Sequence, residues 1–145
     1  MSSSSIGWRL QRNQVGVLLD RCLIGEPTKR AVLTLPNNVK VATLDDLYGT
    51  GAGGRLPDVQ FLEDAGRHGW MIWSQNPKMW RVTHERQVIE DHGAHVFCLA
   101  RADHLAFTKG LIFGRHYLSM VRRHRRPGPC FWRLNLGSDP RKDMP

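Results

Sequence analysis

The chain has 145 residues, a length typical of one domain, and its 41% hydrophobic and 23% charged residues are ordinary for a globular protein. No apolar stretch approaches the roughly 20 residues that span a bilayer, and no apolar segment follows the serines at residues 2–5, which excludes an integral membrane protein and argues against a signal peptide. The net charge of +8 favours a polyanionic partner, either nucleic acid or an acidic protein.

Apolar runs and alternating apolar residues predict five strands along the chain. They lie at residues 15–19, 39–43, 70–73, 95–100 and 130–136. Helix-start residues, apolar spacing of three or four and glycine or proline stops predict four helices between them. These span residues 26–35, 58 to Gly66 or Gly69, 83–91 and 103–126.

Alternating strands and helices are typical of an α/β protein with a mostly parallel central sheet and helices on both faces. We expect one domain over residues 15–136, with its last strand at the edge of the sheet. Residues 1–14 are expected to form a flexible N-terminal segment and residues 137–145 a polar tail. Three cysteines without C-x-x-C spacing fit thiols in a reducing cytoplasm, where we expect the protein to be located.

Acidic residues stand where predicted strands and helices meet. Asp20 ends the first strand, Asp45 and Asp46 follow the second, and Asp58 opens the helix before the third. In open α/β sheets, ligands collect at the carboxyl ends of the strands. Carboxylates gathered there are costly unless a cation neutralises them, and oxygen ligands suit Mg²⁺ or Mn²⁺, which can activate water for phosphodiester cleavage.

Each acid also has a structural interpretation. Asp58 at a helix start is typical of a capping residue, and Asp45 and Asp46 are typical of a turn. Asp20 is the hardest to explain in this way, because a charge that directly follows five apolar strand residues needs a partner.

Four segments resemble a known family. They are LLDRCL at residues 18–23, VATLDDLYG at 41–49, LPDVQFLEDAGRHG at 56–69 and WMIWSQN at 70–76. Together they are similar to the compact PIN-like domains, in particular the toxin-type members of bacterial toxin–antitoxin modules, the VapC class. The resemblance covers about residues 15–135.

This resemblance implies a metal-dependent endoribonuclease with acids at the carboxyl ends of a parallel sheet. Asp20 matches the first acid of the family and Asp58 the acid that opens the helix before the third strand. One of Asp45 and Asp46 stands for a further acid, and we favour Asp46. Asp20, Asp46 and Asp58 are thus the expected ligands of Mg²⁺ or Mn²⁺.

The third strand departs from the family pattern. Where the family has Thr-x-Asp, this chain has Ser74, Gln75 and Asn76. An asparagine oxygen can bind a hard cation, but it carries no charge and cannot act as a base. We therefore count Asn76 as a weakened fourth member of the site. Three interpretations stay open: a degenerate family member, an inactivating substitution, or an active enzyme that uses another acid.

Basic and aromatic residues near the predicted site suggest a path for RNA. Lys78 and Arg81 follow the third strand, where a phosphate backbone would pass, and Trp80 beside them could stack a base. Arg122 and Arg123 belong to a basic run that closes the long helix. They are predicted RNA ligands too, although they equally suit the helix dipole.

The histidines do not predict a zinc site. His84-Glu85 matches the start of H-E-x-x-H, but position 88 is valine. The predicted function is therefore a ribonuclease toxin that binds RNA and a cognate antitoxin protein, with a homodimer left open. The alternative is a catalytically silent PIN-like module that binds RNA or a protein.

Overall fold

A computed structural model describes residues 7–20, residue 23 and residues 38–145. The helix predicted over residues 26–35 and the cysteine at position 22 lie outside the described residues.

All five predicted strands are present, and a sixth follows them. The strands are β1 (Val15–Leu19), β2 (Val39–Thr43), β3 (Met71–Ser74), β4 (His95–Leu99), β5 (Cys130–Leu134) and β6 (Arg141–Met144). Three predicted helices are also present, together with a short helix that directly follows β2. The helices are α1 (Leu44–Tyr48), α2 (Asp58–His68), α3 (Thr83–His92) and α4 (Ala106–His124).

The strands form one sheet in the order β2-β1-β3-β4-β5-β6. Every neighbouring pair from β2 to β5 is parallel, and only β6 runs antiparallel to its neighbour. The chain passes from β1 outward to β2 and then returns to the other side of β1 for β3. The mostly parallel α/β fold is confirmed, and the strand order reverses between β1 and β3.

The C-terminal segment that we expected to be a polar tail contains strand β6, so β5 is not the edge strand that we expected. Residues 141–144 have no apolar alternation, yet they pair with β5. Arg133 of β5 forms a two-pronged ion pair with Asp143 of β6. Only 17% and 7% of these two side chains are exposed. A largely buried ion pair therefore accompanies the last strand, and Met144 of this strand also packs against the core.

Two apolar cores cover the two faces of the sheet, because successive strand residues point to opposite faces. On one face, α4 packs its buried stripe, which includes Phe113 and Tyr117, against Val17 and Trp73. The ring of Trp73 stacks on that of Phe113 at a centroid distance of 4.4 Å. Trp73 is therefore a core residue, and helices on both faces are confirmed.

On the opposite face, α1, α2 and α3 pack against the strands with Phe61, Leu62 and Ile89. The N-terminal segment joins this core instead of remaining free over its whole length. Trp8 is 1% exposed, and its backbone oxygen accepts a hydrogen bond from the indole nitrogen of Trp70 at 2.8 Å.

Gly16 of β1 leaves room for the indole ring of Trp70 to pack against this strand. A Cβ atom at residue 16 would lie 2.4 Å from the indole ring, so any side chain there would displace the tryptophan. Within the described part of the chain, no helix is long and apolar enough to cross a membrane.

The Arg133–Asp143 pair yields a stability prediction. Asp143→Ala leaves the guanidinium of Arg133 without its partner in a largely buried setting, and we expect a loss of about 3 kcal/mol in unfolding free energy. Asp139→Ala, in the exposed loop before β6, should stay within about 0.5 kcal/mol of the parent. Urea denaturation measures both. Equal losses in the two variants would contradict the role given to the ion pair.

Candidate functional site

The candidate site lies at the carboxyl ends of β1 and β3, where the strand order reverses. A crevice opens at such a point because the connections of the two neighbouring strands leave in opposite directions. Asp20 follows β1 directly, and Ser74 is the last residue of β3. The register pairs Leu19 with Trp73, so Asp20 and Ser74 stand side by side on the same face of the sheet.

Asp20 is 3% exposed, so its carboxylate depends on protein donors. The hydroxyl of Ser74 donates to Oδ2 of Asp20 at 2.7 Å, and the backbone nitrogen of Asp20 donates to the oxygen of Trp73 at 2.9 Å. The backbone nitrogen of Asn76 donates to the Ser74 oxygen at 3.0 Å. A chain of hydrogen bonds therefore joins the ends of the two strands to the turn that carries Asn76.

Two helices begin at this same edge of the sheet. Both α2 and α3 cover the face to which Asp20 points, and each runs from the carboxyl edge of the sheet back towards its amino edge. Asp58 is the first residue of α2, and Glu85 is the third residue of α3. Helix N-termini favour negative charge, which helps the fold to hold two acids there.

Glu85 is the residue that sequence reasoning missed. It is only 8% exposed, and its carboxyl makes a hydrogen bond with Asp58. Burial, that hydrogen bond and the negative charges of Asp58 and Asp20 raise the pKa of Glu85 to about 7. The structure therefore brings Asp20, Asp58 and Glu85 together, and we refer to them as the three-acid site.

The thiol of Cys98 lies beside the three-acid site. Cys98 is the register partner of Ser74 on β4. Burial raises its pKa to about 12, and the nearby charge of Asp20 adds to this effect. The buried thiol therefore favours its protonated form and belongs to the apolar core on that face of the sheet.

Asp45 and Asp46 are both engaged in local structure. Asp46 accepts a hydrogen bond from the backbone of Thr43, whose hydroxyl accepts one from the backbone of Asp46, and this reciprocal pair caps α1. Asp45 accepts hydrogen bonds from the backbones of Gly51 and Gly53, which lowers its pKa. The glycine-rich segment thus wraps a carboxylate. A metal-binding role of Asp46 stays a prediction, and its capping bonds do not support it.

The turn after β3 carries the predicted RNA ligands. Asn76 precedes a single turn of 3-10 helix, Pro77–Trp80, and its side chain makes no capping bond. Lys78 and Arg81 are both exposed beside it. Trp80 is half-buried, with the guanidinium of Arg86 5.2 Å from its ring centre. The basic turn therefore adjoins the three-acid site, and contact of Lys78 and Arg81 with RNA stays a prediction.

Arg122 and Arg123 lie elsewhere, in the last turn of α4 near the amino end of β5. Arg122 is exposed, whereas Arg123 is 5% exposed. The guanidinium of Arg123 donates to four backbone oxygens of the segment that follows the helix and of the C-terminal residue. These bonds give Arg123 a structural role, and contact of either arginine with RNA stays a prediction.

The donor set at the candidate site consists of oxygen atoms, which suits a hard divalent cation. Carboxyls of the three-acid site, the Ser74 hydroxyl and the Asn76 amide provide them. As placed, however, Glu85 and Asp58 bond to each other. Among the described residues, no three His, Cys, Asp or Glu side chains are grouped so that they could hold a metal ion as they stand. The chemistry of the site fits Mg²⁺ or Mn²⁺, provided that a cation takes the place of the shared proton.

Comparisons with known proteins show the family of the chain. A family profile described as "PIN like domain" matches residues 16–101, which include β1 to β4 and the three-acid site. The chain is 25% identical over 96 residues to "Putative ribonuclease VapC45" of Mycobacterium tuberculosis (strain ATCC 25618 / H37Rv), covering 66% of this chain and 70% of that protein. No solved structure matches the chain.

The raised pKa of Glu85 yields a pH prediction. In the unfolded chain this glutamate ionises near pH 4.5, whereas in the folded protein it keeps its proton up to about pH 7. Between these values only the unfolded state gains a charge, so the native state loses stability as the pH rises. The side chain of Glu85→Gln cannot ionise. As the pH rises from 5 to 8, we expect the unfolding free energy of this variant to increase by about 1 to 2 kcal/mol relative to that of the parent.

Urea denaturation at the two pH values, without divalent cations, measures this difference. The matched control is Glu90→Gln, because Glu90 is exposed on the same helix. If the unfolding free energies of Glu85→Gln and the parent change by the same amount between pH 5 and pH 8, the buried carboxyl has an ordinary pKa.

Proposed function

The chain belongs to the PIN-like domain family, and we propose that it is a metal-dependent endoribonuclease toxin of a toxin–antitoxin module. In this proposal Asp20, Asp58 and Glu85 hold Mg²⁺ or Mn²⁺, with Asn76 as an uncharged ligand. The relative from Mycobacterium tuberculosis is named "Putative ribonuclease VapC45", which supports the activity.

The position of Glu85 carries the proposal. A carboxyl that shares a hydrogen bond with a second one and is repelled by a third stands in a field of concentrated negative charge. Such an arrangement is costly in a folded protein, and structural needs alone rarely produce it. It supports the interpretation that the enzyme uses another acid to offset the missing charge at Asn76.

Each residue of the site has a task in this reaction. A bound divalent cation would activate a water molecule and neutralise the phosphodiester. Ser74 holds the carboxylate of Asp20 in one orientation through its 2.7 Å hydrogen bond. Glu85 keeps a proton against Asp58 near neutral pH, and loss of that proton leaves three negative charges at the edge of the sheet.

Binding of RNA falls to the basic turn after β3. Lys78 and Arg81 are exposed and unpaired with any carboxylate in the described part of the chain, so their charge is available to a phosphate backbone. A cytoplasmic location, where RNA and a cognate antitoxin would be met, belongs to the same proposal. An antitoxin that supplies acidic residues to the basic turn would compete with RNA for it.

A catalytically silent module is the second candidate. Asn76 cannot contribute charge or act as a base, and Glu85 and Asp58 are bonded to each other. If that bond outlasts the addition of cations, the domain would bind RNA through its basic turn without cleaving it.

Cleavage assays distinguish the two candidates. We expect the chain to cleave single-stranded RNA slowly with Mn²⁺ and not with EDTA, because the carboxylates alone cannot activate water. Glu85→Gln and Asp20→Asn should each reduce the rate at least a hundredfold, while Glu90→Gln leaves it unchanged. Asn76→Asp adds a charge to the site and should raise both the rate and the apparent affinity for Mn²⁺.

The outcomes separate the parts of the proposal. Cleavage by the parent that survives in Glu85→Gln would remove Glu85 from the reaction. Binding of RNA without cleavage by the parent and by Asn76→Asp would establish the silent module instead.

The basic turn is tested by charge reversal. Arg81→Glu should weaken RNA binding roughly tenfold at moderate salt, without changing the affinity for Mn²⁺. The slope of log affinity against log salt concentration should fall by about one, because one phosphate contact is lost. The matched control is Arg67→Glu, because Arg67 is exposed in the last turn of α2, at the opposite edge of the sheet. Filter binding at several salt concentrations measures both, and equal losses would point to net charge rather than to a local path.

A further inference from the structure

A basic cavity of about 350 Å³ lies between the last turns of α4 and strands β5 and β6. Its lining supplies hydrogen-bond donors and no acidic side chain. The lining residues are Ser119, Arg122, Arg123, Arg126, Trp132 and Lys142. The cavity lies on the face of the sheet that α4 covers, away from the face to which Asp20 and Ser74 point.

Arg123 forms the rigid wall of the basic cavity. Its guanidinium donates to the backbone oxygens of Arg126, Gly128, Pro129 and Pro145. These bonds fix the turn after α4 against the end of β6. The cavity therefore has a defined shape, and its wall does not depend on a bound ligand.

Three further cations converge on this wall from different elements. Arg122 and Arg126 are exposed at the end of α4, and Lys142 is exposed on β6. None of the three forms an ion pair with any other described residue. The ammonium of Lys142 lies 4.8 Å from the ring centre of Trp132, whose negative face partly balances its charge. Like charges held together in this way attract an anion.

Trp132 lines the cavity beneath the ammonium group of Lys142. Its indole nitrogen is buried and has no acceptor among the described residues, but it is closed to a molecule the size of water and so does not donate into the cavity. The cations at the rim are therefore the groups that call for oxygen acceptors.

We propose that the basic cavity binds a phosphate group. A ligand that consists of acceptors alone complements a lining of donors, and phosphate presents several oxygens with negative charge to arginine forks and an ammonium group at once. The group could belong to a phosphomonoester, to the 5′ end of an RNA or to an RNA backbone. Binding there involves none of the three acids and no metal, so it stands apart from the proposed ribonuclease activity.

The test adds inorganic phosphate in the presence of EDTA and compares it with chloride at equal ionic strength. Calorimetry and the shift in melting temperature measure binding. We expect saturable binding at one site. Lys142→Gln and Arg126→Gln should each weaken the affinity at least fivefold. The matched control, Arg125→Gln, should change it less than twofold, because Arg125 is an exposed neighbour that does not line the basic cavity.

One further variant separates this site from the three-acid site. Asp20→Asn should bind phosphate like the parent, whatever its effect on RNA cleavage. Phosphate binding that is not saturable, or that falls equally in Arg125→Gln and Lys142→Gln, would overturn the proposal and leave only a diffuse effect of positive charge.

Short RNAs with a 5′-phosphate or a 5′-hydroxyl then identify the source of the phosphate group. A preference for the 5′-phosphate that disappears in Lys142→Gln indicates a terminal phosphate. Equal weakening of both RNAs by Lys142→Gln indicates the backbone. Unchanged RNA binding, together with weakened binding of inorganic phosphate, indicates a small phosphomonoester.

Discussion

The burial of the Asp20 carboxylate constrains the structure where the strand order reverses between β1 and β3. A charge that is 3% exposed at the end of an apolar strand must be matched by donors that are fixed in advance. Ser74 provides one at 2.7 Å and is itself bonded to the backbone of Asn76. The need to stabilise one charge therefore ties β1 to β3 and sets the turn from which the basic residues project.

The helices on that face turn this constraint into a site. Because α2 and α3 both begin at the carboxyl edge of the sheet, Asp58 and Glu85 are brought towards Asp20 by the same packing that buries Phe61 and Ile89. Burial and the negative charges of the two aspartates together raise the pKa of Glu85 to about 7, so this carboxyl favours its protonated form below that pH. A proton is the smallest cation that the site can hold, and a divalent ion would relieve the same repulsion more fully.

Sequence patterns predicted the strands, and they predicted Asp20 and Asp58 as neighbours because both follow or precede apolar runs at the same edge. They missed Glu85, which stood beside His84 in an incomplete zinc motif and was set aside with it. A signal was present: Glu85 lies four residues before Ile89, so an acid occupies the buried stripe of an amphipathic helix. Strand β6 had no such signal, because its pairing depends on an ion pair between Arg133 and Asp143 that only the tertiary fold brings together.

In the proposed function, Asn76 and Glu85 illustrate why a missing acid in a motif is weak evidence for an inactive enzyme. A cation responds to the charges that surround it in space, whichever element supplies them, and its attraction to each depends on distance and local dielectric. Asn76 removes one charge from the end of β3. Glu85 brings a carboxyl to the same edge from α3, with its pKa raised to about 7 by burial first and by its acidic neighbours second. In the proposed function, a divalent cation would take the place of this proton, whereas an acid with an ordinary pKa would already be ionised. The charge of the site near neutral pH then depends on the proton occupancy of Glu85.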